Sequence, residues 1–179
     1  MYIKKLNLIV DISASLSLKM INLNYVDETY LSWMNDYEVQ KYTEQKGLKH
    51  SLNSITDFVN EKLESKNDYL FGIFSNDLHI GNIKLGPINW RHKTAQISYF
   101  IGNRDYWGQG IATLCISTVC KFASEELGLK KINGGVYSVN YPSQKVLEKC
   151  DFVKEGVRKK QKIYNGERVD EILFSWFKT

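Results

Sequence analysis

The chain has 179 residues, 43% of them hydrophobic and 25% charged, with only two prolines. Those values fit one globular core and argue against a disordered, low-complexity or collagen-like chain. Its 24 basic and 20 acidic side chains leave a net charge of +4, a mild excess without the concentrated basic load of a typical nucleic-acid binder. No apolar run reaches the roughly 18 residues that a membrane helix needs, and the start, with Lys4, Lys5, Asn7 and Asp11, is too polar for a secretory h-region. The cytoplasm is the simplest expected compartment. Cys115, Cys120 and Cys150 form no C-x-x-C pair, and His50, His79 and His92 have no ligand spacing, so structural thiols and no metal are expected.

In chain order, residues 1–15 show no clean period and read as an N-terminal extension to one domain spanning 1–179. Leu16 to Leu23 alternates like a half-buried strand. Val26, Tyr30, Trp33 and Met34 recur at helical spacing, and Asn35-Asp36 divides that stretch into two short helices. Ser51 or Asn53 can cap a third helix carrying Ile55, Phe58, Val59 and Leu63. From Tyr69 the period becomes two: Tyr69–Phe74, Leu78–Leu85, a Gly-Pro-Ile-Asn loop and Thr94–Ile101 form an antiparallel meander. The segment from Gly110 to Leu127 is the longest helix, with Gly128 as its C-cap. Lys131–Val139 reads as a strand, Pro142–Cys150 as a helix, and Phe152–Arg158 with Val169–Phe177 as a closing hairpin. A meander followed by β-α-β and a hairpin is α+β in layers rather than a doubly wound parallel sheet.

Chemistry concentrates in Arg104 to Thr113, where a strand feeds the longest helix. Gly108 and Gly110 let backbone approach a bulky anion, and the N–H groups of the first helical turn point at it along the positive end of the helix dipole. A plain loop-to-helix entry, with glycine for turn geometry alone, is the other reading of G-x-G. A dinucleotide fingerprint needs a third glycine where Thr113 stands, and no G-x-x-x-x-G-K-S/T run exists.

Several further runs occur in order: Leu31-Ser-Trp-Met-Asn-Asp36, His79-Ile-Gly-Asn-Ile83, Tyr106-Trp-Gly-Gln-Gly-Ile-Ala-Thr113, Asn140-x-x-Ser143, Leu147-Glu-Lys-Cys-Asp-Phe152, Glu155-Gly-Val-Arg158 and Asn165-Gly166 to Asp170. With these the chain, over Leu16 to Phe177, resembles the GNAT superfamily of acetyl-CoA-dependent N-acetyltransferases. The nearest branch holds the ribosomal-protein N-terminal alanine and serine acetyltransferases and related amino-sugar acetyltransferases. The resemblance implies a mixed, mostly antiparallel sheet flanked by helices and splayed between the fourth and fifth strands. It implies acetyl-CoA held through Trp107, Gly108, Gln109, Gly110, Ile111, Ala112 and Thr113, its pantetheine arm beside Tyr99, Phe100, Ile101, Val136, Tyr137 and Ser138, with Asn140 and Ser143 nearby. Ser143 matches a residue proposed as the acid in that branch, and a first-turn helical role is its structural alternative.

Acceptor contacts implied by the resemblance are Trp33, Tyr42, Glu44, Trp90, Arg91, His92, with Asn89 before them, and Tyr164, although Trp33 also reads as core and Glu44 and Arg91 as solvated surface. The expected acceptor is an amino-sugar or sugar-nucleotide amine, with a protein N-terminus as the rival. No nucleic-acid or membrane partner is expected, and monomer and homodimer both stay open. Four positions depart from the pattern: Asp105 stands where relatives often carry a basic or glutamine residue, Gln96 where they often carry a glutamate base, Leu147 where many carry a tyrosine acid, and Asp151 where glycine is usual. A catalytically silent acyl-CoA-binding module is therefore the alternative of a different class. Direct attack needs a neutral amine, and an α-amine with pKa about 8 is roughly 10% neutral at pH 7 whereas a lysine amine is below about 0.1%. Low-pKa amines are thus the favoured acceptors.

Overall fold

A computed structural model describes residues 8–178. The first seven residues of the expected extension, including Lys4, Lys5 and Asn7, lie outside the described residues. Eight strands form one sheet: β1 (Ile9–Asp11), β2 (Leu16–Met20), β3 (Tyr69–Ser75), β4 (Leu78–Asn89), β5 (Thr94–Ile101), β6 (Lys131–Tyr137), β7 (Val153–Tyr164) and β8 (Glu167–Phe177), in the spatial order β1-β2-β3-β4-β5-β6-β8-β7. All neighbours are antiparallel except β5 and β6. Helices α1 (Glu28–Asn35), α2 (Tyr37–Gln40) and α3 (Leu52–Glu64) accompany one face, and α4 (Ile111–Glu125) and α5 (Tyr141–Lys149) the other. The α+β architecture expected from the sequence is the observed one.

Local chemistry sets the helix ends. Asp27 caps α1 by accepting from the Tyr30 N–H at 2.9 Å, and Asp36 ends α1 while capping α2 through the Glu38 N–H at 2.7 Å. Ser51 and Ser54 form a reciprocal capping box at α3. The expected α4 face, Ile111, Cys115, Val119 and Phe122, is buried. It packs on Phe71, Ile83, Leu85 and Ile132 in the larger core. The second core holds Tyr30, Trp33, Val39, Ile55 and Val59 of α1–α3 against Ile21 and Leu70. Asp151 adopts φ +62, the left-handed conformation its position after α5 requires.

Four boundaries differ from the sequence reading by more than two residues. Residues 9–11, expected to be irregular, pair with β2 as an edge strand, because three residues are too few to show a period. The strand expected over Leu16–Leu23 ends at Met20, and a 3-10 turn begins at Leu23. The Gly-Pro-Ile-Asn segment is no loop: it continues β4 through a bulge that sets Gly86 and Pro87 against Gln96, with Ile88 paired to Ala95. The closing hairpin is longer than expected, since Lys159–Tyr164 extends β7 to a turn at Asn165 and Gly166, whose φ values are +51 and +83.

Candidate active site

β5 and β6 pair only at Thr94–Lys131, Ala95–Ile132 and Gln96–Asn133. Beyond that point the two strands separate while β5 runs on to Ile101 and β6 to Tyr137. Counted from Leu16 these are the fourth and fifth strands, so the splay is where it was expected. The gap leaves backbone on both strands free of a strand partner, and it opens toward the loop that enters α4.

That loop is shaped for an anion. Gly108 and Gly110 have φ of +75 and +77, and an added Cβ at either would meet no atom within 4 Å, so their approaches are open. Gly110 is the N-cap of α4, and no side chain caps it. The N–H groups of Ile111, Ala112 and Thr113, lacking carbonyls one turn earlier, therefore face outward at the positive helix end. Trp107 fixes the loop by donating its indole N–H to the Ile101 carbonyl at 2.8 Å, and the Gln109 side chain donates to the Asp105 carbonyl at 2.7 Å. Both side chains thus brace the loop, leaving its main chain to meet a ligand. Gly102, just before the loop, lies against Trp33: a Cβ there would come within 2.1 Å of the indole. Trp33 is buried among Tyr30, His79 and Phe100 and packs against the end of β5.

At the mouth of the gap Asn140 caps α5, accepting from the Ser143 N–H at 3.3 Å and donating from Nδ2 to Ser143 Oγ at 3.0 Å. Tyr99 of β5 reaches the same point: its hydroxyl is buried, and burial pushes the phenol up to about 12, with the nearby Ser143 hydroxyl opposing that shift. The thiols Cys115, Cys120 and Cys150 are free and buried. Burial pushes Cys115 up to about 12 and also raises the other two, as structural thiols require.

On the opposite face of the splay, Gln96, Ser98 and Gly135 are exposed along an uncovered floor. Glu171 of β8 is 7% exposed, and a Cβ on Gly135 would meet its Oε1 at 2.6 Å, so the carboxylate lies against bare backbone beside the gap. Arg158 Nη1 lies 3.1 Å and Lys162 Nζ 3.3 Å from Glu171. Lys162 also binds Glu44 at 2.7 Å, and the Tyr137 hydroxyl donates to Glu44 at 3.2 Å. The Lys162 hydrogen bond is the main cause holding the Glu44 carboxyl below its ordinary range. Farther out, Tyr42 stacks on Tyr164 with ring centroids 5.2 Å apart. Lys46 sits 4.5 Å over Tyr164 and donates to Asn165 at 3.0 Å, as does the Tyr37 hydroxyl.

The structure thus gathers Glu44, Tyr42, Tyr137 and Tyr164 on one wall. It does not gather Trp90, Arg91 and His92 with them: they form the β4–β5 tip, at the closed end of the β5–β6 pair. The eight residues of β5, at ~3.3 Å per step, put that tip roughly 23 Å from the α4 loop. Trp90 instead donates to Asn67 at 2.9 Å. Sequence reasoning missed Glu171, Arg158 and Lys162 as site residues and took Tyr99 for its backbone alone. The one available signal was the cationic run Arg158, Lys159, Lys160 and Lys162 on β7 opposite the acidic Glu167, Asp170 and Glu171 on β8.

This combination of a splayed mixed sheet and an open helix N-terminus defines a coenzyme A-type acyltransferase. The acetyltransferase (GNAT) domain model matches residues 16–153, and the chain belongs to that family. The probable N-acetyltransferase YjcK of Bacillus subtilis (strain 168) is 34% identical over 168 residues, covering 92% of this chain and 87% of the relative. Among solved structures, the microcin C7 self-immunity acetyltransferase MccE with acetyl-CoA and AMP superposes with a TM-score of 0.82 at 20% identity, covering 94% of this chain and 96% of that one. RimL, a ribosomal L7/L12 α-N-protein acetyltransferase in complex with coenzyme A, superposes with a TM-score of 0.87 at 17% identity, covering 94% and 97%. The chain is an acetyl-CoA-dependent N-acetyltransferase. Among the described residues no His, Cys, Asp and Glu grouping could hold a metal ion, and no helix is long and apolar enough to cross a membrane.

Proposed function

We propose that the acetyl donor lies in the β5–β6 splay and that the acceptor, an amino-sugar or sugar-nucleotide amine, enters from the face lined by Glu171, Glu44 and the Tyr42–Tyr164 pair. The single observation that carries this is the uncapped, glycine-opened start of α4 standing at the end of the splay. Main-chain N–H groups of Gly108 to Thr113 receive the pyrophosphate, and backbone of Tyr99–Ile101 and Val136–Ser138 flanks the pantetheine arm. Acetyl-CoA supplies the activated thioester. The residues of this chain orient the amine, take up its proton and support the leaving sulfur.

Glu171 is the group suited to the amine's proton. Its carboxylate occupies the floor of the cleft, one strand away from the gap, whereas Gln96 in the same floor cannot accept a proton from an ammonium. The carboxylates of this wall are already matched, Glu171 by Arg158 and Lys162 and Glu44 by Lys162. A polyamine's second charge would find no unpaired acid there. Lys46 has no acidic partner among the described residues, and with the stacked tyrosines it suits a ring bearing hydroxyl groups or a phosphate.

Thiol release from acetyl-CoA, measured against an amino sugar, an amino-sugar nucleotide, spermidine and peptides with N-terminal serine or alanine, tests the acceptor. The sugar amines are expected to give the highest kcat/KM, by at least about tenfold over spermidine. Preference for a peptide would move the assignment to a protein N-terminus, and preference for spermidine would refute the charge argument.

A further inference from the structure

A row of side chains across the sheet marks where the cover of α3 ends. Leu70 of β3 pairs with Lys84 of β4, and Lys84 with Ser98 of β5, so the three stand side by side on one face. Leu70 is buried in the second core with Ile55 and Val59 of α3, Lys84 is half-buried, and Ser98 is exposed on the uncovered floor. Next in the row comes the gap itself, because β5 pairs with β6 only as far as Gln96. Ile83 and Leu85 belong to the larger core on the other face, which fixes the side from which Lys84 projects.

Lys84 is also a charge without a match. Among the described residues it makes no ion pair and no hydrogen bond, whereas Arg158 is held by Glu171, and Lys162 by Glu171 and Glu44, on the hairpin side of the same face. Burial, the largest cause, pulls the Lys84 ammonium below its ordinary 10.5; Asp68 opposes that through space, Lys62 adds to it and Glu61 opposes it. A half-buried cation carries a desolvation cost that a closely placed anion offsets.

We propose that Lys84 is a specificity residue, receiving a carboxylate or phosphate oxygen of the acceptor, so that the preferred amine belongs to an anionic sugar. The proposal rests on the acceptor entering from this face, and it adds to that reading a charge and a place for it. Strands lie about 4.8 Å apart, so β4 stands roughly 10 Å from the midline of the gap, where the proposed thioester lies. Ser98 is small and leaves the path between them open. The four-carbon stem of the lysine covers part of the distance, which places the anion a few bonds from the reacting nitrogen.

Thiol release from acetyl-CoA tests this with three acceptors: an amino hexose, the same sugar phosphorylated at its anomeric oxygen, and an amino hexose carrying a carboxylate on the oxygen beside the amine. Each is measured with the unmodified chain, Lys84→Met, Lys84→Arg and Lys84→Glu. The unmodified chain is expected to favour the anionic sugars by at least about tenfold in kcat/KM, the size of one hydrogen bond between charged groups. Lys84→Met is expected to bring that ratio to within about twofold of unity, Lys84→Arg to keep most of it, and Lys84→Glu to reverse it. Calorimetric affinity for acetyl-CoA is expected to stay within about twofold throughout, and the melting temperature of Lys84→Met to hold or rise, since an unpaired half-buried charge is removed. An advantage for only one of the two anionic sugars, lost in Lys84→Met, supports the role and identifies the anion. Equal kcat/KM for neutral and anionic sugars, or an advantage that survives Lys84→Met, overturns the role of Lys84 and leaves a sugar acceptor standing. Release with none of the sugars, while acetyl-CoA still binds, overturns the acceptor reading and the role of Lys84 together.

Discussion

The two sides of the splay are built in opposite ways. The α4 side offers main-chain groups from one contiguous run, residues 108–113, with side chains turned to bracing. The proposed acceptor side offers side chains brought from far apart: Tyr37 to Asn165, Glu44 to Lys162 and Glu44 to Tyr137 span 128, 118 and 93 residues. A main-chain site tolerates exchange of side chains and fails when the backbone is obstructed. A side-chain site behaves the other way, since its chemistry disappears with one atom while the backbone stays put.

The largest effect that would break this contrast is expected at Gly110. Gly110→Trp fills the open approach and strains a left-handed residue, and should weaken acetyl-CoA binding by at least about a hundredfold in calorimetry. Retained affinity would mean that the anion is held elsewhere. Glu171→Gln should lower kcat by about a hundredfold with acetyl-CoA affinity unchanged, the pattern of a lost proton acceptor, and equal losses in both would tie Glu171 to donor binding instead.

Gly102→Ala probes the joint between the two sides. Its Cβ would overlap the Trp33 indole, and forced repacking should cost about 3 kcal/mol and roughly 10 °C of melting temperature. A smaller effect comes from His79, which touches neither ligand. Its Nε2 faces two acceptors, the Gly81 carbonyl and Asn82 Oδ1, so the proton resides there, and burial holds the ring below its ordinary 6.5. A base depressed on folding binds fewer protons folded than unfolded, so stability falls as pH drops from 6.5 toward the folded value. Melting temperatures measured between about pH 7 and 5 should show that loss, and His79→Gln should flatten it. The smallest effect is expected at Gln109→Ala, within about twofold in acetyl-CoA affinity, because its side chain faces Asp105 and its main chain is untouched.

Much of the fold was legible because its signals are local. The break at Asp36, the Ser51 cap, the buried α4 face and the left-handed Asp151 each follow from the side chain at that place and its immediate neighbours. The open, uncapped start of α4 was legible for the same reason, since glycines and a helix start lie within six residues. The β4 bulge was not: Gly86-Pro87 reads as a break, and only pairing of Ile88 with Ala95 across the hairpin carries the strand through. Trp90–His92 carry side chains suited to an acceptor, and only the strand direction shows that they stand at the closed end.

By itself the sequence determined an α+β layered fold, the order of its elements and the glycine-opened helix start that the proposed donor site uses, because periodicity, caps and glycine conformations act over a few residues. Tertiary structure alone decided where β5 and β6 part and that Glu171 rests on Gly135. Those placements depend on register and packing between strands and helices distant in the chain, which no local pattern of residues encodes.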